Sequence, residues 1–450
     1  MEVTAISSGE HTATLTPDDE ADLDFQSGGY EPPSDYMVSW GYVEPEPSKL
    51  RAKLSPWVSA HSEAASELGS EAKDAYDLGP TELGAYAAQL SDFVSSATFP
   101  FDLEHDLRAG IGRYLGEAGR TSLPKQAYDV NETVWQTDRE GETAKTFAVQ
   151  TWRDHHCPDE GWAYHSLTNA GADAWVSSTF PTGRIRYLWD NLRVGILKAD
   201  VLRYLLLLVH GGVYSDTDTE CLKPMADWGR GAEVWKPELW ASEGELRRLR
   251  AGEDAGKVLG RASVIVGVEV DVHNRHDWHN WWPRPLQIVQ WTMASAPHHP
   301  ITLSALLRIV HRTASAAEWA QDHWRDIQFA LHNNDTGRAI EMMKTTALSE
   351  PSAGGPVGIM DWTGPGIWTD AVLQYLAARY GCQWTDLRGL DKPLRVGDVI
   401  VLPVTGFSPE VGQFGSQSRD DPQAMVWHYF RGSWKADSGG MREVEEHVRA

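Results

Sequence analysis

The chain has 450 residues, of which 40 are basic and 64 acidic, so its formal net charge is −24. This negative charge would repel a nucleic acid, so we exclude nucleic acid as a partner. An anionic ligand would need a metal ion or a local basic cluster to bind. The three cysteines are too few for a disulfide scaffold, and we expect them to be buried thiols. No apolar run in the sequence approaches the ~20 residues of a membrane span, so we expect a soluble chain.

The chain divides into three parts by composition. Residues 1–50 are polar, acidic and proline-containing, which predicts a disordered segment because they bury too little apolar surface to offset the cost of ordering. Residues 51–122 are alanine-rich and helical in pattern, with breaks at Pro80 and Pro100, and predict a helical extension. Residues 123–450 alternate short apolar strands with helices, which predicts an α/β domain.

Apolar patterns place the elements of this domain. The run 262–270 is strongly apolar and rich in β-branched residues, which predicts a central strand. Pro285 has a position typical of a first helical turn, which predicts a helix over residues 285–295. The other predicted elements are, in chain order, strand 133–137, helix 147–153, strand 162–167, helix 169–178, a helix from residue 196, strand 213–214, helices 302–315 and 316–331, helix 368–380 and strand 396–403.

Two aspartates, Asp216 and Asp218, follow the strand at residues 213–214. Residues two apart in a strand point the same way, so their carboxylates would converge on one point. Such a pair suits a hard divalent cation, Mn²⁺ or Mg²⁺. The alternative is a solvated turn, since acidic chains contain this pattern by chance.

The helix before these aspartates carries two charged residues on an otherwise leucine-rich face, Asp200 and Arg203. They lie three apart and share a face, and ionised groups on a buried helix need partners or a polar ligand. One interpretation is an internal ion pair, and the other is a pair aimed at the hydroxyls and phosphate of a sugar ligand. Gly211 and Gly212 then allow a sharp turn and a close approach of the backbone to a ligand.

This stretch as a whole resembles the signature of DXD glycosyltransferases of the sugar-binding type. That group includes the fungal initiation-specific α-1,6-mannosyltransferases, the sphingolipid mannosyltransferases and the bacterial glucosylating toxins. The residues that carry the resemblance are Ala199, Asp200, Arg203, Tyr204, Leu207, Gly211, Gly212, Tyr214, Asp216 and Asp218.

Further segments narrow the resemblance to the fungal α-1,6-mannosyltransferases. It covers residues 124–435 and leaves out the N-terminal part of the chain. The matching segments are 134–137, 266–269, 283–292, 363–365, 369–370, 402–403, 407–408 and 428–435.

The resemblance implies a GT-A fold, in which a mostly parallel, Rossmann-like sheet carries helices on both faces and ligands bind beyond the carboxyl ends of the strands. It implies that Asp216, Asp218 and His428 bind the metal, that Trp135 stacks on the base of a nucleotide, and that Lys435 lies near its diphosphate. The implied donor-binding residues are Trp135, Tyr204, Gly211, Gly212, Tyr214, Asp216, Gly432, Trp434 and Lys435, and the implied catalytic residues are Asp200, Arg203 and Asp370.

Several of these residues also have a plainer interpretation. Trp135 and His428 suit the core of the domain, and Asp370 lies where it could cap a helix. The tryptophan-rich run 276–283 suits an acceptor sugar, because tryptophan rings pack on the C–H faces of sugars, but it equally suits packing on the core. Further candidate acids near the sugar are Glu269 and Asp361.

The activity implied by the resemblance is that of a retaining α-1,6-mannosyltransferase, which moves mannose from GDP-mannose to a glycan hydroxyl in protein N-glycosylation. The alternatives are another nucleotide-sugar donor, a lipid or protein acceptor, or a non-catalytic protein that binds a nucleotide sugar. The resemblance implies the Golgi lumen. Since no anchor or signal is visible in the sequence as written, a cytoplasmic location is the alternative.

Overall fold

The structure is a computed structural model. It describes residues 79–116, 130–139, 146–156 and 161–430, apart from residues 193, 274, 276–277 and 279–280. The predicted disordered segment and three predicted donor-binding residues, Gly432, Trp434 and Lys435, lie outside the described residues. The ranges of the three predicted domains stay predictions.

The described residues form helices and strands that alternate along most of the chain. The helices are α1 (Leu83–Ala97), α2 (Phe101–Leu115), α3 (Phe147–His155), α4 (Asn169–Thr179), α5 (Arg184–Asn191), α6 (Gly195–His210), α7 (Glu243–Arg250), α8 (Ala255–Leu259), α9 (Pro300–His332), α10 (Thr336–Met342), α11 (Ile359–Trp362), α12 (Pro365–Tyr380) and α13 (Val404–Phe407). The strands are β1 (Thr133–Thr137), β2 (Ala163–Leu167), β3 (Gly212–Ser215), β4 (Thr219–Cys221), β5 (Glu233–Val234), β6 (Val264–Asp271), β7 (Leu286–Ile288), β8 (Thr292–Ser295), β9 (Leu394–Val396), β10 (Val399–Leu402) and β11 (Val426–His428).

One large sheet organises the described part of the chain, with strand order β2-β1-β3-β8-β6-β10-β9-β5, and β7 pairs with β6. Strands β2, β1 and β3 are parallel neighbours, as are β6 and β10. The antiparallel strand β8 lies between β3 and β6. A separate two-stranded ribbon joins β4 to β11.

Buried side chains cover both faces of this sheet. Successive strand residues point to opposite faces, so Val134 and Trp135 of β1 enter two different hydrophobic clusters. Helices α6, α9 and α12 supply one cluster, whereas Trp152 of α3 and Phe407 of α13 enter the other. The predicted α/β fold, a Rossmann-like sheet flanked by helices, is therefore confirmed.

The predicted helix over residues 285–295 is wrong, because this segment forms β7 and β8. Ile288 of β7 lies opposite Val268 of β6, and β8 pairs with β3 on one side and β6 on the other. Ladder hydrogen bonds from neighbouring strands outweigh the local preference that a proline suggests. The predicted helices 302–315 and 316–331 are the single 33-residue helix α9. The predicted strand 396–403 is a hairpin of β9 and β10 that turns at Gly397, where φ is 60°.

Helix α6 is apolar on most of its circumference because it is buried along most of its length. It ends at Gly211, and the φ angles of Gly211 and Gly212 are 66° and 104°, which favour glycine. A Cβ atom would lie 2.6 Å from Cδ of Pro297 at the first position and 2.5 Å from the carbonyl oxygen of Thr133 at the second. These glycines allow the chain to pack closely on itself, whereas the sequence suggested a close approach to a ligand.

Helices α1 and α2 lie within the predicted extension, but their side chains enter the same hydrophobic cluster as α6, α9 and α12. The buried Tyr86 hydroxyl donates to the carbonyl of Pro300 at 3.3 Å. Arg379 of α12 donates to the carbonyl of Tyr114 in α2 at 2.8 Å. The described part of the extension is thus packed on helices α9 and α12.

Two features of composition have counterparts in the structure. Cys221 and Cys382 are free and buried, as expected, whereas Cys157 lies outside the described residues. Among the helices that the structure describes, none has both the length and the apolar character needed to cross a bilayer.

Candidate active site

Two carboxylates and one imidazole meet at the carboxyl end of β3. Asp216 follows β3 directly, Asp218 lies in the turn to β4, and His428 ends β11. The β4–β11 ribbon places His428 opposite Thr219, and the amide of Tyr429 donates to the carbonyl of Asp218 at 2.9 Å. One potential ligand atom from each of the three side chains lies within 4.8 Å of the others. The structure thus brings the three predicted metal ligands together.

The donor atoms of this cluster fit a divalent cation. Nε2 of His428 lies 3.2 Å from Oδ1 of Asp218. Neighbouring ligands of an octahedral ion bound at ~2.1 Å lie ~3.0 Å apart, so the two atoms are spaced to share one ion. Nδ1 of His428 is buried and has no hydrogen-bond partner among the described residues. Two carboxylates and one imidazole are a ligand set compatible with Mn²⁺.

Neighbouring residues fix both the carboxylate and the backbone of Asp216. The Tyr214 hydroxyl donates to its Oδ1 at 2.9 Å and lies 3.0 Å from the hydroxyl oxygen of Thr137. Burial raises the pKa of Tyr214, which keeps this hydroxyl a donor. The Gln136 amide donates to the Asp216 carbonyl at 3.1 Å, and the Asp216 N–H donates to the Trp291 carbonyl at 2.8 Å. In this structure the buried Tyr214, a predicted donor-binding residue, orients Asp216.

A buried ion pair, formed by Asp200 and Arg203 of α6, lies next to the cluster. Both side chains are only 4 % exposed, and Nη2 of Arg203 lies 2.8 Å from Oδ1 of Asp200 and 3.6 Å from Oδ1 of Asp216. The hydroxyl of Thr363 donates to Oδ2 of Asp200 at 2.8 Å. Of the two interpretations of these residues, the structure shows the internal ion pair, with Asp216 as its third member.

The charges of this pair depend on its burial. Burial raises the pKa of Asp200 to about 6, and the neighbouring Arg203 opposes that rise. For Arg203, burial favours the neutral form, but Asp216, Tyr214 and Asp200 outweigh it and hold the pKa of the guanidinium above its usual range. Arg203 therefore stays a cation beside the two carboxylates.

Trp135 lies in the core of the domain. It is 8 % exposed, and its Nε1 donates to the carbonyl of Gly211 at 3.0 Å. Its ring stacks with the imidazoles of His165 and His210 at centroid distances of 4.5 and 5.2 Å. The structure thus shows the core packing that was the alternative to base stacking.

Tyr204 is also buried, and it links α6 to the loop before α12. Its hydroxyl donates to the carbonyl of Thr363 at 3.0 Å and accepts from the Gln290 amide at 2.7 Å. The same amide donates to the Thr363 carbonyl at 2.9 Å. Tyr204 supports the elements around the site, and its direct contact with a donor stays a prediction.

Asp370 lies in a buried network of ion pairs. Nε and Nη2 of Arg284 donate to its two carboxylate oxygens at 2.7 and 2.6 Å, and Arg308 lies 3.8 Å away. The same Arg284 lies 2.9 Å from Asp361. Helix α12 begins at Pro365, so Asp370 lies in its second turn, and the suggestion that it caps the helix is wrong. Its carboxylate is compensated by arginine charge.

Glu269, near the carboxyl end of β6, has a different environment. Its Oε2 accepts a hydrogen bond from the Gln287 amide at 2.9 Å. Burial raises the pKa of Glu269 to about 7, and the bond from Gln287 opposes that rise. This carboxyl therefore changes its charge near neutral pH.

Part of the tryptophan-rich run 276–283 is described. The Arg275 guanidinium lies over the rings of Trp281 and Trp282, at 5.8 and 5.1 Å from their centroids. Trp282 also packs edge-on against Phe414 at 5.3 Å. These contacts agree with packing on the protein, and a role in acceptor binding stays a prediction.

Three residues of the site region were not singled out from the sequence: Gln136, Trp291 and Arg284. All three lie inside segments that carried the resemblance, at 134–137 and 283–292. Gln136 meets Asp216 across 80 residues of sequence, and Arg284 meets Asp370 across 86. Local spacing holds no signal for partners that far apart.

Comparisons with known proteins agree with this geometry. A family model described as "Glycosyltransferase sugar-binding region containing DXD motif" matches residues 143–235, which include α6 and both aspartates of the cluster. The chain is 33 % identical over 334 residues to the initiation-specific α-1,6-mannosyltransferase of Schizosaccharomyces pombe, covering 71 % of this chain and 70 % of that protein. It is 30 % identical over 336 residues to the Candida albicans protein of the same name, covering 70 % of this chain and 74 % of that protein.

Among solved structures, the protein titled PaToxG Glycosyltransferase aligns with 64 % of this chain and 80 % of its own. The sequence identity is 12 % and the TM-score is 0.27, which is too distant a likeness to bear on the fold.

Proposed function

The chain belongs to the family of initiation-specific α-1,6-mannosyltransferases, which are DXD glycosyltransferases, and on this premise we propose that it transfers mannose from GDP-mannose to a hydroxyl of a glycan. The chain is thus a glycosyltransferase. The GDP-mannose donor, the α-1,6 linkage, the N-glycan acceptor, retention of configuration and the use of Mn²⁺ are parts of the proposal. The observation that carries it is the cluster of Asp216, Asp218 and His428 at the carboxyl end of β3.

The proposed reaction breaks the bond between C1 of mannose and the β-phosphate oxygen, and forms a bond between C1 and the acceptor oxygen. The acceptor attacks from the face that the diphosphate leaves, through an oxocarbenium-like state, and the leaving phosphate oxygen takes its proton. The electron pair of the broken bond stays on the β-phosphate oxygen, so negative charge grows on the diphosphate as the bond breaks. A divalent cation bound by Asp216, Asp218 and His428 would supply the opposite charge at that point.

The residues of the chain prepare this site before the donor arrives. Tyr214 and Gln136 hold the carboxylate and the backbone of Asp216, so the ligand atom needs little reorganisation. Arg203 balances part of the negative charge of the aspartates. The placement of Asp200 and Arg203 in the subsite for the donor sugar is also part of the proposal, and its support is membership of the family.

The test is a donor comparison with purified protein. GDP-mannose, GDP-glucose, UDP-glucose and UDP-GlcNAc are each incubated with Mn²⁺ and an α-mannoside oligosaccharide, and the products are identified by mass spectrometry and NMR. We expect transfer from GDP-mannose alone, formation of an α-1,6 linkage, and loss of turnover with EDTA. Turnover of a UDP-sugar would overturn the donor assignment. Nucleotide-sugar binding without turnover would indicate a non-catalytic relative.

We also propose the Golgi lumen as the compartment. The support for it is membership of the family, and it stays a prediction. Fractionation of cells that express the full transcript, with transferase activity measured in each fraction, tests it. Activity confined to the cytosolic fraction would overturn it.

A further inference from the structure

His428 reaches the metal cluster from β11, a strand of three residues. Pairing with β4 fixes the backbone of His428 opposite Thr219. It does not fix the plane of the ring, because the χ2 torsion of histidine is broad. Apart from the 3.2 Å contact between Nε2 and Asp218 itself, the orientation of the ring comes from side-chain packing.

Trp291 supplies that packing. Its indole lies flat against the imidazole of His428, with ring centroids 4.6 Å apart and planes 12° from parallel. Phe430 packs edge-on against both rings, at 4.2 Å from His428 and 5.3 Å from Trp291. The imidazole is thus held face-on by one ring and at an angle by another.

Trp291 also contacts the other half of the cluster. Its carbonyl accepts the N–H of Asp216 at 2.8 Å. One residue therefore joins the backbone of Asp216 to the ring of His428, two ligands from distant parts of the sequence.

The backbone around Trp291 is itself well anchored. The next residue, Thr292, pairs with Ser215 in the β3–β8 ladder, and their hydroxyl oxygens are 2.7 Å apart. The carbonyl of the preceding Gln290 accepts from Arg203 at 3.3 Å. This anchoring gives the indole a fixed position from which to orient its neighbour.

We propose that Trp291 is a positioning residue for the metal ligand His428. Its ring sets the plane of the imidazole so that Nε2 faces Asp218, and this preorganisation strengthens cation binding. The inference rests on the proposed function, because it takes the cluster as a cation site. Residues that orient metal ligands without touching the ion typically change metal affinity by about 10- to 100-fold when they are replaced.

The experiment measures the dissociation constant for Mn²⁺ from the electron paramagnetic resonance signal of the free ion, with no donor or acceptor present. A matched control exists on α9, where Trp319 stacks on His323 at 4.4 Å with an angle of 17°. W291A should weaken Mn²⁺ binding about 10-fold or more, W291F should stay within about 3-fold because it keeps an aromatic face, and W319A should leave the constant unchanged.

Thermal unfolding of each variant shows whether it is folded, and W291L keeps the bulk of the side chain without a flat face if W291A fails to fold. Wild-type Mn²⁺ affinity in folded W291A, or in W291L, would overturn the inference while the proposed function stands. A wild-type protein that binds no Mn²⁺ would overturn the cation site of the proposed function and, with it, this inference.

Discussion

An aspartate–histidine pair lies at each of the two ends of the parallel strands, one at their carboxyl ends and one at their amino-terminal ends. At the carboxyl end of β3, Nε2 of His428 lies 3.2 Å from Asp218. Just before β10, at the amino-terminal edge of the parallel strands, Nε2 of His299 lies 3.0 Å from Asp398. The two pairs have nearly the same distance and the same chemical groups, yet their surroundings differ.

The pair at the amino-terminal edge is fully satisfied. Both of its side chains are almost inaccessible, at 0 % exposure for His299 and 6 % for Asp398. The other carboxylate oxygen of Asp398 accepts from the hydroxyls of Tyr375 and Tyr380 at 3.0 and 2.7 Å. Nδ1 of His299 accepts from the amide of Ile301 at 3.2 Å. A buried carboxylate and imidazole with every polar atom occupied serve the fold.

The pair at the carboxyl end of β3 is partly exposed, and one ring nitrogen of its histidine has no hydrogen-bond partner among the described residues. Asp218 is 22 % exposed and His428 10 % exposed. Nδ1 of His428 has no partner among the described residues, and the second carboxylate, Asp216, stands within reach. An aspartate–histidine pair alone is therefore no sign of a metal site, whereas the neighbouring Asp216 and Nδ1 of His428, which is unpartnered within the described part of the chain, support the proposed cation site at β3.

We expect the largest effect from a variant that breaks the pair of Asp218 and His428. D218A should lower kcat/KM for Mn²⁺-dependent transfer by about 10³-fold, because loss of charge stabilisation at a transition state costs that order. Thermal unfolding of the apoprotein should change little, since Asp218 is partly exposed. D227A removes a surface aspartate and is the control. Full metal-dependent activity in D218A would move the site elsewhere.

We expect the next largest effect from a variant that breaks the pair of His299 and Asp398. D398A should lower the free energy of unfolding by about 3 kcal/mol or more, because it leaves a buried imidazole and two hydroxyls without their acceptor. Urea unfolding measures this loss, and Mn²⁺ affinity should stay near that of the wild type. Little destabilisation combined with weakened Mn²⁺ binding would reverse the assignment of the two pairs.

The pair of His299 and Asp398 should also make the free energy of unfolding fall as the pH falls below about 4. Burial raises the pKa of Asp398, but bonds from His299, Tyr380 and Tyr375 outweigh it and hold the pKa below its usual value of 3.8. The pair therefore stabilises the fold above pH ~4 and loses that contribution as the pH falls through the lower native pKa. D398N should unfold with a flatter dependence on pH below 4 than the wild type.

The smallest effect concerns a carboxyl with only an amide as its partner, Glu269. Its pKa rises from 4.5 to about 7 on folding, so the unfolded chain releases this proton first and stability falls as the pH rises between these values. E269Q should be more stable than the wild type by about 1–2 kcal/mol at pH 8 and no more stable at pH 4. Urea unfolding at both pH values measures the difference. An equal gain at both would assign the effect to packing.

The predictable part of the site was local in sequence. Asp216 directly follows β3 and Asp218 lies in the turn to β4, so this short turn brings their side chains together, whereas the sequence suggested the alternation of a strand. Helix α6 and its glycine stop were visible for the same reason, because period and turn chemistry act over a few residues. His428 entered only through the family resemblance, since 210 residues separate it from Asp218.

The remainder depended on contacts that no short window contains. Residues 285–295 are strands because β3 and β6 offer ladder partners on both sides. Trp135 is a core residue because two histidines from other elements cover its ring. The role of Trp291 exists only once β11 is folded against β4, which the sequence of either strand does not indicate.

The distance in sequence between Asp218 and His428 has a consequence for the life of the molecule. The proposed cation, bound by both side chains, would close a loop of 210 residues, nearly half of the chain. The entropy of closing such a ring grows only slowly with its size, and an ion that prefers the native state stabilises it by mass action. The proposed metal ion would then act as a reversible cross-link, which stabilises the native state more strongly as the concentration of free Mn²⁺ rises.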